Sequence, residues 1–351
     1  MSDNDLVPTV DLGPWWAGDP QGKAAVAAAL DDACRRVGFL QVVDHRIPDA
    51  VIGAMVDATD RFFALPLDEK LRCSPPRPEV NRGYAAIGSE GLAYSLGEHG
   101  TQAPPDLFEA FNIGDEHVPD DDPWYAAERH RLFAPNVWPD QPASLRPALV
   151  EYFDAARAVA LTLTDVFALA LGLPDRWFRP YVSRSTTTLR ANHYERRPGS
   201  TQVAPGQMRM GAHTDYGIVT VLWADAVPGL QIIGPDGDWH GVVPAPGALL
   251  VNLGDLTATW TNDRWRSTLH RVVPPPPAAD GSALRRSVAL FFDGDYDAPI
   301  ECLATCTDAD HPPKYPPTTA GEHLMAKLLG PRTLTPSTAT STAGERLEGK
   351  G

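Results

Sequence analysis

The first half of the chain mixes strand-like and helix-like patterns of apolar residues. The short apolar runs "VPTVDL", "FLQVVDH" and "LFEAFNIG" predict strands. Helices are predicted over "GKAAVAAALDDACRRVG", which ends at Gly38, and over "PDAVIGAMVDATDRFFAL", which begins with Pro48. Residues 74 to 105 are rich in Pro and Gly, and we therefore expect a loop there.

A long amphipathic helix is predicted next. Its apolar residues recur at alternating steps of four and three, which places them on one helical face. They are Leu149, Phe153, Ala156, Ala160, Leu163, Phe167 and Ala170. Asp165 lies inside this apolar stretch, so the pattern indicates a core helix and not a membrane span.

Short strands and turns replace this pattern from about residue 185. Apolar runs separated by Gly, Pro, Asp and Asn predict about eight strands, which is typical of a sandwich or barrel of the jelly-roll type. They are "TTTLRANHY", "IVTVLWA", "GLQIIG", "DWHGVV", "ALLVNLG", "STLHRVV", "RRSVALFF" and "PIECL". We expect residues 1–180 to pack on a core of residues 181–330 as one integrated unit. The Ser/Thr/Pro-rich residues 331–351 are predicted to be a disordered tail.

Composition narrows the range of functions. The 351 residues carry a formal net charge of −15, which argues against nucleic acid or an anionic membrane as a partner. Four scattered cysteines do not suggest a disulfide scaffold, and the start of the chain shows no secretory signal pattern. Cys302, Cys306 and His311 lack a fourth zinc ligand at a sensible spacing, so we interpret them as ordinary packing. We expect a cytoplasmic protein that is a monomer or a weak oligomer.

The stretch "MGAHTDYGIVTVLW" places His213 and Asp215 two residues apart, just before an apolar, β-branched run. In an extended strand, side chains two apart point to the same face, so these two groups would share one space. A second His-x-acid pair, His193 and Glu195, shows that the pattern alone is weak. We interpret that second pair as a surface pair. Its two residues have odd numbers, so they lie on the opposite face of the strand from the even-numbered Asn192.

A third metal ligand is available in "STLHRVV", where His270 lies on a predicted strand. Two imidazoles and one carboxylate on one face of an octahedral ion form the facial triad of non-haem Fe(II) oxygenases. Zinc would instead favour tetrahedral coordination with one open position. A barrel histidine with an ordinary structural role remains the alternative for His270.

Arg285 and Ser287 share one face of the predicted strand "RRSVALFF". A guanidinium with a hydroxyl beside it can bind a carboxylate in a closed cavity, and a buried Arg without an anion would be costly. Arg286 has the opposite parity and is expected at the surface.

Together, "GAHTDYG", His270, Arg285-x-Ser287 and "LRANHY" resemble the isopenicillin N synthase-like, plant-type 2-oxoglutarate/Fe(II)-dependent dioxygenase family. The resemblance covers roughly residues 7 to 330 and includes "VGFLQVVDHRIP", "FFALPLDEKLR", "NRGYAAIG", "DLFEAFNIG" and "PPKYPPTTAGEHL". It implies a mainly β fold with flanking helices, whose core is a double-stranded β-helix, or jelly roll. Glu195 departs from the family, which often has Pro at that position.

The resemblance also implies a ligand set. Iron would be held by His213, Asp215 and His270, and 2-oxoglutarate would chelate the iron. The distal carboxylate of 2-oxoglutarate would be held by Arg285, Ser287 and Tyr194, with Asn192 near the iron end of the co-substrate.

The implied reaction is the oxidation of an unactivated C–H bond of a small organic molecule by dioxygen, with hydroxylation as the default outcome. In this reaction 2-oxoglutarate is decarboxylated to succinate and CO2, and a role in secondary metabolism fits the family. One alternative is a 2-oxoglutarate-independent Fe(II) oxidase of the isopenicillin N synthase type, in which an Arg-x-Ser pair grips the substrate. The other is a non-enzymatic binding barrel. The face carrying Asn192 and Tyr194 favours 2-oxoglutarate.

Four aromatic residues are predicted to line the substrate pocket. Tyr84 and Phe111 belong to a predicted lid over residues 82 to 112, and Trp260 and Phe292 belong to the barrel, the last chosen from the pair of Phe291 and Phe292. The acidic composition and these aromatic side chains favour a small, neutral or cationic organic substrate.

Overall fold

The computed structural model describes residues 6–100, 103–196, 203–274 and 283–337. Its helices are α1 (Gly13–Ala17), α2 (Pro20–Arg36), α3 (Asp49–Phe63), α4 (Leu67–Leu71), α5 (Pro123–Glu128), α6 (Leu145–Ala170), α7 (Asp255–Trp260) and α8 (Ala320–Thr333). Its strands are β1 (Thr9–Asp11), β2 (Phe39–Val43), β3 (Gly83–Ala85), β4 (Glu109–Gly114), β5 (Thr188–Arg196), β6 (Met210–His213), β7 (Val219–Ala224), β8 (Leu230–Ile233), β9 (Trp239–Gly241), β10 (Leu249–Leu253), β11 (His270–Val272), β12 (Ala283–Phe292), β13 (Pro299–Ile300) and β14 (Thr318–Thr319).

Two large sheets form the centre of the molecule. The main sheet has the strand order β1-β2-β10-β7-β12-β5-β4-β3, and the smaller sheet has the order β6-β11-β8-β9. An apolar cluster joins them, with Phe39 and Leu250 from the main sheet and Leu230, Ile232 and Val272 from the smaller one. Sheet packing of this kind, with helices outside, agrees with the predicted mainly β fold.

Strands from the first 180 residues are part of the main sheet itself. β2 pairs with β10, and β4 pairs with β5 over six residue pairs from Glu109 to Gly114. The N-terminal region therefore extends the sheet and does not merely pack on a finished barrel. We therefore continue to describe residues 1–180 and 181–330 as one integrated unit.

Helix α6 covers the outer face of the main sheet as its periodicity predicts. Its predicted apolar face is buried from Leu149 to Phe167, and only Ala170 at the end is half-buried. The same core contains Val288, Leu290 and Phe292, the last three even-numbered residues of β12. The odd-numbered residues of β12 consequently face the space between the two sheets.

Glu109 is the centre of a buried polar network behind that space. Its Oε2 atom accepts hydrogen bonds from Lys70 Nζ at 2.6 Å and from the Tyr84 hydroxyl at 2.6 Å. His193 Nδ1 lies 3.2 Å from Glu109 Oε1, and the His193 ring stacks on Phe63. His193 is only 6% exposed, so the prediction that it belongs to a surface pair was wrong. The polar partner that makes its burial possible comes from another strand.

Helix α8 continues past the predicted start of the tail. It begins with a capping box formed by Thr319 and Glu322, and it runs through Pro331 to Thr333. The predicted tail was therefore wrong at its first residues, while residues 338–351 lie outside the described ranges. Lys327 is completely buried in α8, with Nζ 3.2 Å from Oδ2 of Asp255. None of the helices in the described ranges combines the length and apolarity needed to cross a membrane.

We expect Glu109→Gln to lower the free energy of unfolding by about 3 kcal/mol, because it leaves the buried ammonium of Lys70 without a counter-charge. Urea unfolding followed by circular dichroism measures the change. The control is Glu69→Gln in α4, an exposed carboxylate whose loss should change the unfolding free energy by less than about 0.5 kcal/mol. Equal stabilities of the two variants would show that the network contributes nothing.

Candidate active site

Three side chains that can bind a metal meet where the two sheets converge. His213 ends β6, Asp215 lies in the loop before β7, and His270 begins β11 directly opposite His213. Oδ1 of Asp215 lies 3.8 Å from Nε2 of His213 and 3.6 Å from Nε2 of His270. All three residues are buried, and within the described ranges they form the one cluster of His, Cys, Asp or Glu ligands close enough to hold an ion.

Hydrogen bonds orient both imidazoles toward the same point. Nδ1 of His213 lies 2.8 Å from the carbonyl of Gly211, and Nδ1 of His270 lies 3.1 Å from the carbonyl of Thr268. These contacts place the proton on Nδ1 and leave the Nε2 lone pair free for a metal. Burial, with His270 beside it, lowers the pKa of His213 to about 3, so the ring is neutral as a ligand must be.

Asp215 is held by donors from the main sheet. Its Oδ2 atom accepts a hydrogen bond from Nδ2 of Asn252 at 2.6 Å and another from the hydroxyl of Thr220. Oδ1 is therefore the oxygen that faces the two imidazoles. A carboxylate fixed in this way presents one oxygen to a metal without rearrangement.

A cavity extends from this cluster to Arg285, with an empty space of about 450 Å³ when the open solvent at its mouth is included. β12 and β5 pair so that Arg285 lies opposite Tyr194 and Ser287 lies opposite Asn192, and all four side chains line the cavity. Arg285 is 2% exposed, and neither its Nε nor its Nη1 has a hydrogen-bond partner among the described residues. Since unpartnered buried donors are costly, this end of the cavity fits an anion. Burial raises the pKa of the Tyr194 hydroxyl, which keeps it a hydrogen-bond donor at neutral pH.

A larger cavity adjoins the first one, with an empty space of about 860 Å³ when the open solvent at its mouth is included. The two cavities share Met210, His213, Asp215 and Phe291, so the ligand cluster lies at their junction. Such a junction allows one molecule to approach the metal position from each side.

Comparison with known proteins identifies the family. One matching family model is described as "non-haem dioxygenase in morphine synthesis N-terminal", and it matches residues 7–141. A second model, that of the 2OG-Fe(II) oxygenase superfamily, matches residues 185–294. The chain belongs to the 2-oxoglutarate/Fe(II)-dependent dioxygenase family. As a dioxygenase of this family it is an oxidoreductase that uses Fe(II), 2-oxoglutarate and O2 to oxidise a small organic molecule. The 2-oxoglutarate-independent oxidase and the binding barrel are not favoured by these findings.

Several known proteins are similar to this dioxygenase over most of its length. A 2-oxoglutarate-Fe(II) type oxidoreductase of Emericella nidulans is 36% identical over 316 residues, which are 89% of this chain and 86% of that protein. Validamycin A dioxygenase of Streptomyces hygroscopicus subsp. limoneus is 35% identical over 85% of this chain and 80% of its own length. The solved structure of a full-length Neurospora crassa protein in complex with alpha-KG and thymine has a TM-score of 0.79, 30% identity, and coverage of 92% of this chain and 96% of that one. The double-stranded β-helix fold of such oxygenases is the fold of this dioxygenase.

The larger cavity of the dioxygenase is lined by charged residues that sequence reasoning missed. Burial alone would raise the pKa of Glu90, but the guanidinium groups of Arg190 and Arg332 hold it below its ordinary value. Nη2 of Arg190 donates to Oε2 of Glu90 at 2.6 Å, and Arg332 reaches the cavity from α8. Asp293, which follows β12, lines the same cavity, and burial together with Asp215 raises its pKa to about 8.

The prediction of Phe292 as a pocket residue was wrong. Phe292 is fully buried in the core under α6, and its neighbour Phe291 lines both cavities. Phe291 has the same parity as Arg285 and Ser287, so the alternation used to find those two residues could also have found it.

The other three aromatic candidates were wrong as well, because the structure buries them away from both cavities. Tyr84 bonds to Glu109, and Phe111 packs edge-on against Phe62 at a centroid distance of 4.7 Å. Trp260 belongs to an aromatic cluster at the end of α7. Aromatic type alone did not distinguish core residues from pocket residues in this protein.

We expect Asn252→Leu to weaken Fe(II) binding by about 10- to 100-fold, because the orienting hydrogen bond to Asp215 is lost while the ligands remain. Anaerobic competition with a chromogenic chelator measures the affinity. Asn112→Leu, which removes a buried amide from β4 outside both cavities, is the control and should bind iron like the wild type. Unchanged affinity in Asn252→Leu would mean that Asp215 needs no such support.

Proposed function

We propose that this dioxygenase hydroxylates a small organic molecule with iron held by His213, Asp215 and His270. The observation that carries this assignment is that one cavity has the three ligand side chains at one end and, at the other, the guanidinium of Arg285, whose Nε and Nη1 have no hydrogen-bond partner among the described residues. A co-substrate with a chelating end and a distal carboxylate matches that arrangement.

The donor set supports iron. Two neutral imidazole nitrogens and one carboxylate oxygen occupy one face of an octahedral ion and leave three positions open. The backbone carbonyls of Gly211 and Thr268 fix the imidazole orientation, so the donors need no rearrangement.

The second part of the proposal places 2-oxoglutarate in the smaller cavity. Arg285 would pair with its distal carboxylate, the hydroxyls of Ser287 and Tyr194 would donate to the same group, and Asn192 would lie nearer the iron. Bound together, Fe(II) and 2-oxoglutarate supply the activation of O2, in which one oxygen atom enters the substrate and the other enters succinate as CO2 leaves. The protein residues bind, orient and desolvate the reactants.

We further infer that the enzyme works in the cytoplasm as a monomer or weak oligomer, without a nucleic-acid or membrane partner. The net charge of −15 supports the absence of polyanionic partners. A role in secondary metabolism is supported by the names of the matching family and of the Streptomyces relative, which refer to morphine synthesis and validamycin A.

His213→Ala, Asp215→Ala and His270→Ala are each expected to abolish succinate formation and to weaken Fe(II) binding, since each removes one of three ligands. His193→Ala is the matched control, because His193 is also a buried strand histidine but its Nδ1 lies 3.2 Å from Glu109 Oε1, away from the three metal-binding candidates. It should retain iron. Anaerobic Fe(II) titration and a succinate assay measure both properties, and full activity of Asp215→Ala without added carboxylate or chloride would contradict the ligand assignment.

Arg285→Leu should raise the KM for 2-oxoglutarate by about 30-fold to several-thousand-fold, because a lost charge-assisted contact in a buried site costs about 2–5 kcal/mol. The control is Arg286→Leu, the next residue of β12, whose guanidinium pairs with Asp60 and Asp225 on the other face. Its KM should stay near that of the wild type. The charge-transfer absorption of the anaerobic Fe(II)·2-oxoglutarate complex follows binding directly. If the wild type lacks this band and oxidises substrate without forming succinate, the assignment fails.

A further inference from the structure

Arg332 brings a buried guanidinium into the wall of the larger cavity from helix α8. Its side chain is 6% exposed, and its Nη1 atom has no hydrogen-bond partner among the described residues. Oε1 of Glu90 lies 3.8 Å from Nε of Arg332, which is too far for a hydrogen bond. A buried donor of this kind is costly unless a ligand supplies an acceptor, so Arg332 indicates a place where an acceptor group of the substrate binds.

The position of Arg332 on α8 joins this donor to an apolar surface. Leu324, Leu328 and Arg332 follow one another at steps of four residues, which places them on one face of the helix, and all three line the cavity. Leu92 and Phe291 add further apolar side chains to the same wall. A ligand that fits this wall has an apolar body and a polar group that reaches Arg332.

A second guanidinium of the wall, that of Arg82, has only neutral hydrogen-bond acceptors among the described residues. It donates three hydrogen bonds to backbone carbonyls. Asp115, a carboxylate that acts on Arg82 at longer range, is already paired with Arg157 at 2.9 Å. Burial, with Arg332 nearby, lowers the pKa of Arg82 to about 10, so Arg82 stays protonated at neutral pH and the two guanidinium groups repel each other. The charge of Arg82 therefore adds to the positive potential of the cavity.

The carboxylates of the wall do not cancel these charges. Nη2 of Arg190 donates to Oε2 of Glu90 at 2.6 Å. Glu79 acts on Arg332 through its charge, and its buried Oε2 has no hydrogen-bond partner among the described residues. Three guanidinium groups, those of Arg82, Arg190 and Arg332, thus face the two carboxylates of Glu79 and Glu90, which leaves one positive charge in excess.

The other charged groups at the cavity do not change this balance. Arg131 is paired with Glu128. The pKa of Asp293, raised mainly by burial, is about 8, so this carboxyl group is mostly protonated at neutral pH. At the junction of the two cavities, Fe(II), the carboxylate of Asp215, the 2-oxoglutarate dianion and the guanidinium of Arg285 together carry no net charge.

We infer that Arg332 binds a carboxylate of the substrate, and that the enzyme selects small carboxylic acids with an apolar body. This inference rests on the proposed function. A guanidinium with a free N–H group suits a carboxylate, and one excess positive charge matches one carboxylate. The net charge of −15 alone favours a neutral or cationic substrate. Exposed charges are screened by salt over about 10 Å, however, whereas the groups of the cavity wall contact the substrate directly.

Matched pairs of carboxylates and amides test the inference. Cyclohexanecarboxylate is compared with cyclohexanecarboxamide, and phenylacetate with phenylacetamide, by ligand-observed NMR titration of the full chain with Fe(II) under anaerobic conditions. Saturating 2-oxoglutarate keeps the probes out of the smaller cavity. In the wild type, at least one carboxylate should bind about tenfold or more tightly than its amide. In Arg332→Gln that preference should fall below about threefold. In Glu79→Gln, which removes a carboxylate that acts on Arg332, it should rise by about threefold.

Arg129→Gln is the control, because Arg129 pairs with the exposed Asp120 and does not line the cavity. It removes the same charge as Arg332→Gln and should keep the preference for carboxylates. Wild type that binds amides as tightly as carboxylates, or an Arg332→Gln variant that keeps the preference, would overturn the inference. If Arg332→Gln does not fold, an unchanged preference in Glu79→Gln overturns it instead.

The charge-transfer band of the Fe(II)·2-oxoglutarate complex is recorded in the same samples. If the band is present without a preference for carboxylates, only this inference fails. If the carboxylate probes abolish the band, they displace 2-oxoglutarate and the inference also fails. A band that is missing in the wild type before any probe is added means that the proposed function fails.

Discussion

The carboxylate of Asp215 must be buried with one oxygen free, and this requirement governs how the two sheets meet. An ionised carboxylate away from water is costly unless its lone pairs are satisfied. Asn252 of β10 and Thr220 of β7 satisfy one oxygen from the main sheet, while β6 and β11 of the smaller sheet bring His213 and His270 toward the other. Neither sheet alone contains the complete arrangement. The proposed metal site therefore depends on the packing of both sheets, and the apolar cluster between them holds the two parts of the site together.

Features that depend on neighbouring residues in the sequence could be predicted from it. The burial of α6 follows from apolar steps of three and four, and the strands after residue 185 follow from short apolar runs between turn residues. The alternation of side chains along a strand also identified the face of Arg285 and Ser287 and the face of Tyr194. The pairing of β12 with β5 then brings those two faces side by side, as the local alternation requires. β6 was not predicted, because its sequence Met-Gly-Ala-His contains no run of large apolar residues.

Features that depend on distant partners could not be predicted. His193 is buried because Glu109, on another strand, provides a polar contact for its ring. The pairing of Glu90 with Arg190 joins residues 100 positions apart, and no local pattern indicates it. Arg332 reaches the cavity from α8, a helix whose Lys327 is buried against the distant Asp255. In each case a charge that looks exposed in the sequence is buried with a partner, and the choice of partner is set by packing.

The strand β12 also fixes a distance. Arg285, Ser287, Ala289 and Phe291 follow one another at every second position on its inner face, and Asp293 continues the series just beyond its end. At roughly 3.3 Å per residue, the eight steps from Arg285 to Asp293 span about 26 Å of extended backbone. One continuous strand therefore sets the separation between the guanidinium of Arg285 in the smaller cavity and the carboxyl group of Asp293 in the larger one. Side chains at either end can be exchanged without moving the opposite end, whereas the loss of a single residue between them would turn one end to the wrong side of the sheet.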